Sequence, residues 1–118
     1  MEKQMMTEKR GVLVHPKEAK VFMDQQELCR EYFRTEKITF GTSRLHAGAV
    51  GGLDPGHAEA DEIFYCIQGH VLVHFPEDDS YHEMETGDAL LIPPATGHQI
   101  TNIGQEEAVI SWSCAPHP

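Results

Sequence analysis

Short runs of β-branched and aromatic residues recur along the chain about every 8–12 residues, with glycine and proline between them. Gln68-Gly69 and Gly87-Asp88 are two-residue turn signals between such runs. Pro93-Pro94 ends another run, because proline cannot donate a hydrogen bond to a neighbouring strand. This pattern predicts an all-β protein with strands at Ile38–His46, Ile63–Ile67, Val71–Phe75, Tyr81–Glu85, Ala89–Ile92, His98–Ile103 and Ala108–Cys114.

The first of these runs alternates along its whole length. It places one set of side chains on a single face, namely Ile38, Phe40, Thr42, Arg44 and His46. Upstream, Asp24–Arg34 has the Asp24 to Glu27 spacing of a helical capping box, but a strand through Arg30–Arg34 fits the pattern equally well. Strands this closely spaced predict a sandwich or a barrel.

The length and charge of the chain narrow the possible functions. Its 118 residues predict a single domain. A net charge of −10 repels phosphate backbones and anionic lipids, so nucleic-acid binding and membrane-surface roles are disfavoured. Met1–Arg10 has no apolar signal-peptide core, and the three cysteines form no paired motif. We therefore expect a cytoplasmic protein whose cysteines are small buried residues.

Two segments combine histidines and carboxylates with glycine and proline loops. In the first, Gly51–Gly69, a loop delivers His57, and Glu62 stands at the start of a strand. In the second, Gly87–Asn102, a Pro/Gly kink delivers His98. Imidazole and carboxylate groups from separate strands at a barrel mouth are donors that suit a divalent transition metal.

These segments resemble the two motifs of the cupin superfamily. The second reads Gly87-x5-Pro93-x-Ala95-x2-His98-x3-Asn102, and it differs from the family pattern only in having Ala95 for glycine. The first keeps the second half of its pattern, in which His57 is followed by Glu62 and then by Gly69 at the family spacing. The resemblance implies that His57, Glu62 and His98 bind one divalent metal ion (Fe, Mn, Ni, Co or Zn).

The first motif lacks one of its two histidines. Counting back from His57, the missing histidine corresponds to Pro55, and counting forward from Gly48 it corresponds to Asp54. Proline cannot bind a metal. The fourth ligand is therefore open, and the alternatives are Asp54, Glu59, His46 or water.

The resemblance also implies a fold and an assembly. We expect a jelly-roll, or double-stranded β-helix, barrel of roughly six to eight strands over residues 37–118. Residues 1–36 are expected to provide N-terminal strands or a short helix, and a dimer arm that uses Val12–Val14 and Val21 for strand exchange in a homodimer. The expected substrate pocket comprises Arg44, His46, Phe64, Cys66, Ile100 and Trp112.

Two functions are compatible with these residues. The first is a metal-dependent enzyme of the oxygenase, decarboxylase, lyase or isomerase type that acts on a small polar or aromatic acid. In this reading Glu62 or Glu59 moves a proton. The second is a non-catalytic cupin that binds or senses a small molecule. The fold alone does not distinguish them, because it hosts many activities.

Overall fold

The computed structural model describes residues 10–116, which form nine strands and one short 3-10 turn. The turn lies at Pro16–Glu18, before the first strand. The strands are β1 (Lys20–Asp24), β2 (Glu27–Arg34), β3 (Thr39–Leu45), β4 (Asp61–Gln68), β5 (His70–Phe75), β6 (Ser80–Glu85), β7 (Ala89–Ile92), β8 (Gln99–Asn102) and β9 (Ala108–Ala115). No helix within residues 10–116 is long and apolar enough to cross a membrane.

The strands form two antiparallel sheets that face each other. The larger sheet has the order β1-β2-β3-β9-β4-β7 and the smaller one the order β6-β5-β8. Isolated bridges from Gln25 to Gly51 and from Val50 to Thr101 join the loop after β3 to both sheets. The result is the predicted all-β jelly-roll barrel, also called a double-stranded β-helix.

The apolar core fills the space between the two sheets. Strands β4 and β5 alternate between buried and more exposed residues, as a half-buried sheet requires. Their inward side chains meet those of β7, β8 and β9, and the cluster includes Val71, Val73, Ile92, Ile100 and Ile110. Two members of this cluster, Phe64 and Ile100, also line a cavity that contains polar side chains.

The glycines and the asparagine of the two motifs have structural roles. Gly69 and Gly87 both have positive φ values, of 100° and 93°, and each lies in a turn that follows a strand. The buried Asn102 side chain donates hydrogen bonds to the carbonyls of Leu45 and Glu106 and accepts one from the Gly104 amide. It thereby holds the turn between β8 and β9 in place.

The sequence is compatible with either a helix over Asp24–Arg34 or a strand through Arg30–Arg34. The structure has a strand there, β2. β2 pairs with β1 on one side and with β3 on the other, and Gln25 in the tight β1–β2 turn has a positive φ of 58°. Both strands come from the predicted N-terminal region, of which residues 1–9 lie outside the described residues. They form one edge of the six-stranded sheet, next to β3, whereas β5, β6 and β8 form the other sheet.

Strand β3 buries small and polar residues over most of its length, and only Leu45 at its end belongs to the apolar core. Its buried positions include Thr39, Gly41 and Ser43, while Phe40 is only half-buried and Ile38, just before the strand, is exposed. A Cβ atom at Gly41 would lie 2.3 Å from the Trp112 ring, so the indole fills the space that this glycine leaves. The inward face therefore borders a cavity of mixed polarity at Thr39 and joins the apolar core at Leu45.

Candidate metal centre

Two loops meet at the open end of the barrel. One precedes β4 and carries Asp54 and His57, and the other precedes β8 and carries His98. The amide of Asp54 donates to the carbonyl of His98 and the amide of His98 donates to the carbonyl of Asp54, both at 2.9 Å. A third bond, of 2.7 Å, joins the Ala95 amide to the His57 carbonyl. These backbone bonds bring the two motifs together.

The close approach of the two loops depends on positive φ angles at two backbone positions. Gly56 has a φ of 89°, and a Cβ atom there would lie 2.6 Å from the backbone nitrogen and oxygen of Thr96. Ala95 has a φ of 56°, in the left-handed region that glycine adopts at lower cost. The family pattern has glycine at this position, and this chain adopts the left-handed conformation with alanine instead.

The three residues predicted as metal ligands lie together, with Glu62 in the middle. Glu62 Oε1 is 3.3 Å from His98 Nε2 and 3.8 Å from His57 Nε2. Phe64, two residues along β4, packs the edge of its ring against His98 with the centroids 5.4 Å apart. Strand β4 thus supplies the carboxylate and also orients one of the histidines.

Two atoms of this group are buried without a hydrogen-bond partner. They are Glu62 Oε1 and His98 Nε2, in side chains that are only 7% and 2% exposed. The two atoms face each other but are not aligned as a hydrogen bond. Leaving a buried polar atom unsatisfied costs about 1–3 kcal/mol. A cation bound between them would satisfy both, and this observation fits a metal site.

The surroundings of His98 favour the tautomer that binds metals. Its Nδ1 lies 3.0 Å from the Thr96 carbonyl, which can only accept, so Nδ1 carries the proton and Nε2 keeps a lone pair. Burial alone would lower the pKa of His98. The neighbouring Glu62, the Thr96 carbonyl and Asp54 together outweigh burial and raise that pKa.

Among the alternatives for the fourth ligand, the structure brings only Asp54 to the cluster. Asp54 Oδ2 is 3.6 Å from His98 Nε2, while its Oδ1 accepts a hydrogen bond from the Gly56 amide. Asp54, Glu62 and His98 form a group whose ligand atoms all lie within 4.8 Å of one another. Glu59 and His46 are exposed and do not line the cavity, because the loop directs both to the surface.

The sequence motifs do not indicate a fifth possible donor, Cys114. Its sulfur forms a second group with His57 and Glu62, again with all ligand atoms within 4.8 Å. Burial, followed by the charge of Glu62, raises the pKa of the Cys114 thiol to about 12. The alternation along β9 was a usable signal, because Trp112 and Cys114 lie on the same face of the strand.

The cluster opens into a cavity of about 170 Å³. Of the residues predicted to form the pocket, Phe64, Ile100 and Trp112 line it. Cys66 does not, because it is fully buried in the apolar core. Arg44 and His46 do not either, because they follow the outward face of β3, where Arg44 forms an ion pair of 2.9 Å with Glu107. The structure therefore brings three of the six predicted pocket residues to this cavity.

A different arginine lines the cavity. Arg34, at the end of β2, pairs with Glu31 through two hydrogen bonds, of 3.0 and 3.4 Å, and both residues border the cavity. Its side chain is 47% exposed, which places it at the rim. The sequence did not single out Arg34, because the choice between helix and strand left the direction of its side chain undefined.

A buried chain of hydrogen bonds lies elsewhere in the cavity wall. Trp112 Nε1 donates to Ser43 Oγ at 3.0 Å, and Ser43 Oγ donates to the carboxyl group of Glu27. Burial raises the pKa of Glu27, against the hydrogen bond from Ser43, which lowers it. Burial, followed by the charge of Glu27, also raises the pKa of the neighbouring Cys29 thiol to about 12.

A comparison with protein families identifies the region that carries both motifs. A model described as a cupin domain, Cupin_2, matches residues 41–114. This segment is more than half of the chain, and it contains both loops of the candidate metal centre and the five possible donor residues Asp54, His57, Glu62, His98 and Cys114.

Comparisons with individual proteins point to the same fold. The uncharacterised protein MJ1618 of Methanocaldococcus jannaschii is 40% identical over 48 residues, which are 41% of this chain and only 37% of that protein. The structure of KdgF from Halomonas sp. is similar with a TM-score of 0.75 and 19% identity, over 92% of this chain and 96% of that one. The polyketide cyclase RemF from Streptomyces resistomycificus is similar with a TM-score of 0.72 and 12% identity, over 91% and 80%.

Proposed function

Because this chain belongs to the Cupin_2 family of cupin domains, we propose that it is a metal-dependent enzyme acting on a small polar or aromatic acid. The reaction would be of the oxygenase, decarboxylase, lyase or isomerase type. The observation that carries the proposal is the facing pair of buried atoms without hydrogen-bond partners, Glu62 Oε1 and His98 Nε2. A bound cation compensates both of them at once.

His57, Glu62 and His98 would hold the metal. Two imidazoles and one carboxylate are a donor set suited to Fe, Mn, Ni, Co or Zn. When bound, such an ion supplies Lewis acidity toward a carbonyl or carboxylate oxygen. Glu62 lies between the two histidines, so its carboxylate is engaged as a ligand.

Asp54 is the residue best situated to hold or move a proton. Its side chain is 35% exposed, and one of its oxygens faces His98 at 3.6 Å while the other is fixed by the Gly56 amide. Asp54 therefore lines the cavity, with Oδ1 fixed by a hydrogen bond and Oδ2 directed toward His98. Glu59, which was predicted for this role, is exposed outside the cavity.

The cavity supports an acidic substrate of small size. An apolar cavity of about 150 Å³ holds a benzene ring, so a volume of about 170 Å³ fits a molecule of a similar number of atoms. Arg34, paired with Glu31, places a planar guanidinium at the rim, and the Trp112 indole gives the wall an apolar surface. RemF, named as a polyketide cyclase, is an example of an enzyme with this fold.

Metal analysis of the purified chain without a histidine tag tests the proposal. We expect about one transition-metal ion per chain in the native protein, and loss of that ion in the His98→Ala variant with the fold retained. His46→Ala is the matched control, because His46 is an exposed histidine outside the cluster, and it should keep its metal. A chain that takes up no ion even after reconstitution would refute the proposal.

A further inference from the structure

We propose that Cys114 supplies a thiolate ligand to the metal and occupies the position left by the missing histidine of the first motif. The inference rests on the proposed metal centre and adds a ligand that the family motifs do not contain. It also narrows the class of metal ion that the site selects.

Cross-strand register directs Cys114 toward the cluster. Cys114 on β9 is paired directly with Glu62 on β4. Directly opposite side chains on neighbouring antiparallel strands lie on the same face, with Cβ atoms about 4.5–5.5 Å apart. The thiol, the Glu62 carboxylate and the His57 ring therefore converge, and their ligand atoms lie within 4.8 Å of one another.

Two polar atoms of the candidate metal centre lack hydrogen-bond partners. Glu62 Oε1 and His98 Nε2 are both buried without hydrogen bonds, and Glu62 belongs to both groups of possible ligands. Cys114 itself is only 2% exposed. Glu62 is the residue that the two groups share, so an ion bound at Glu62 has His98 on one side and the Cys114 sulfur on the other.

The other two cysteines have different surroundings. The Cys29 thiol donates to the Glu27 carbonyl at 3.8 Å, and the Cys66 thiol donates to the Gly69 carbonyl at 3.7 Å. The Cys29 thiol also lies 3.6 Å from Ser43 Oγ, whereas the Cys114 thiol faces the His57 ring and the Glu62 carboxylate. Only Cys114 among the three belongs to a group of potential metal ligands in residues 10–116.

Burial favours Cys114 over Asp54 as the fourth ligand. A thiolate and the Glu62 carboxylate together neutralise a divalent ion, and two histidines add no charge. Buried charge is costly unless it is compensated, and Cys114 and Glu62 are almost completely buried. Asp54 would balance the charge equally well, but its side chain is 35% exposed, so water can solvate it without a metal ion.

Thiolate ligation has consequences for chemistry and for selectivity. The thiol releases its proton to solvent as the sulfur–metal bond forms. A soft sulfur donor favours zinc, cobalt or iron over manganese and magnesium, which prefer oxygen ligands. The site is therefore expected to select a zinc-like ion.

Cobalt substitution tests this ligand directly. The purified protein is stripped of metal and loaded with Co²⁺, and its near-ultraviolet absorption is recorded for the intense thiolate-to-cobalt charge-transfer band. We expect the band in the native chain and its loss in Cys114→Ser, with Co²⁺ still bound through His57, Glu62 and His98. Cys29→Ser is the matched control, because Cys29 also lines the cavity but belongs to no ligand group, and it should keep the band.

The outcomes separate this inference from the proposed function. Co²⁺ binding that depends on His98 but shows no charge-transfer band would overturn the role of Cys114 and leave the metal centre intact. A band that survives in Cys114→Ser would also overturn it. Failure of the native chain to bind Co²⁺ would refute both. Retention of the band in Asp54→Asn is expected, because Asp54 is not the fourth ligand.

Discussion

Glu27 is a carboxyl group held inside the cavity wall by side chains from two other strands. Ser43 donates a hydrogen bond to it, and Trp112 in turn donates to Ser43. Desolvation raises the pKa of Glu27 above its ordinary 4.5, the Ser43 hydrogen bond opposes this, and the charge of Asp24 adds to it. The native protein therefore binds a proton at Glu27 over a pH range in which the unfolded chain has lost it.

This difference gives a pH dependence of stability with a defined sign. Between pH 4.5 and the raised pKa of Glu27, the native state binds more protons than the unfolded state, so the unfolding free energy falls as pH rises. Glu27→Gln removes the ionisation and keeps an acceptor for Ser43. We expect the Glu27→Gln variant to be more stable than the native chain at neutral pH, and the difference in unfolding free energy to shrink below pH 4.5. Urea unfolding across this pH range measures the difference. Glu77→Gln, in an exposed turn, should change neither the stability nor its pH dependence, and an unchanged pH dependence in Glu27→Gln would contradict the prediction.

Single residues of the site were predictable only where a motif fixed their position. His57, Glu62 and His98 follow from spacing within two motifs, and the structure brings them together. Cys114 and Arg34 belong to no motif, and their roles depend on strand pairing that a single sequence does not encode locally. Arg44 is a cation on the strand that leads to the first motif, but its side chain is exposed. A shift of one residue along a strand decides whether a side chain points inward or outward.

The turn before β8 is an element with measurable backbone strain. Ala95 has a φ of 56°, although the family pattern has glycine at this position. The left-handed conformation costs a non-glycine residue about 1–2 kcal/mol, while glycine costs about 0.4–1 kcal/mol more than alanine in the unfolded chain. We expect Ala95→Gly to stabilise the protein by about 1 kcal/mol. Equilibrium urea unfolding measures this, and a destabilised variant would show that the Ala95 methyl group makes contacts worth more than the strain.

At the level of the strands, position was easier to predict than orientation. Ala89–Ile92 begins and ends as predicted, because Gly87-Asp88 and Pro93-Pro94 define both of its limits. Strand β3 was also located, but its apolar residues Ile38 and Phe40 do not face the interior. Thr39 lines the cavity, which is of mixed polarity, and Gly41 and Ser43 pack against Trp112 in its wall. Hydrophobic alternation identifies the core-facing side only where the core is apolar.

The whole molecule exposes apolar side chains near its N-terminal edge. Val12 and Leu13 are 54% and 78% exposed, and Val21 and Met23 of β1 are 52% and 60% exposed. Strand β1 is also an edge of the six-stranded sheet, so one side of its backbone has no partner strand within the described residues. An open edge with apolar flanks can pair with a second chain. These features favour the homodimer and the N-terminal arm that the sequence predicts.

The proposed dimer is testable by charge substitutions on two surfaces. If the arm and β1 form the interface, Leu13→Lys and Val21→Lys place buried positive charges there and should convert a dimer to a monomer, because an unpaired charge is costly in an apolar interface. Ile63→Lys is the matched control, since Ile63 is 46% exposed on the outer face of β4, away from this edge. Sedimentation equilibrium measures the mass of each variant. A native chain that sediments as a monomer would refute the dimer, and a dimer that is lost only in Ile63→Lys would place the interface on the outer face of the large sheet.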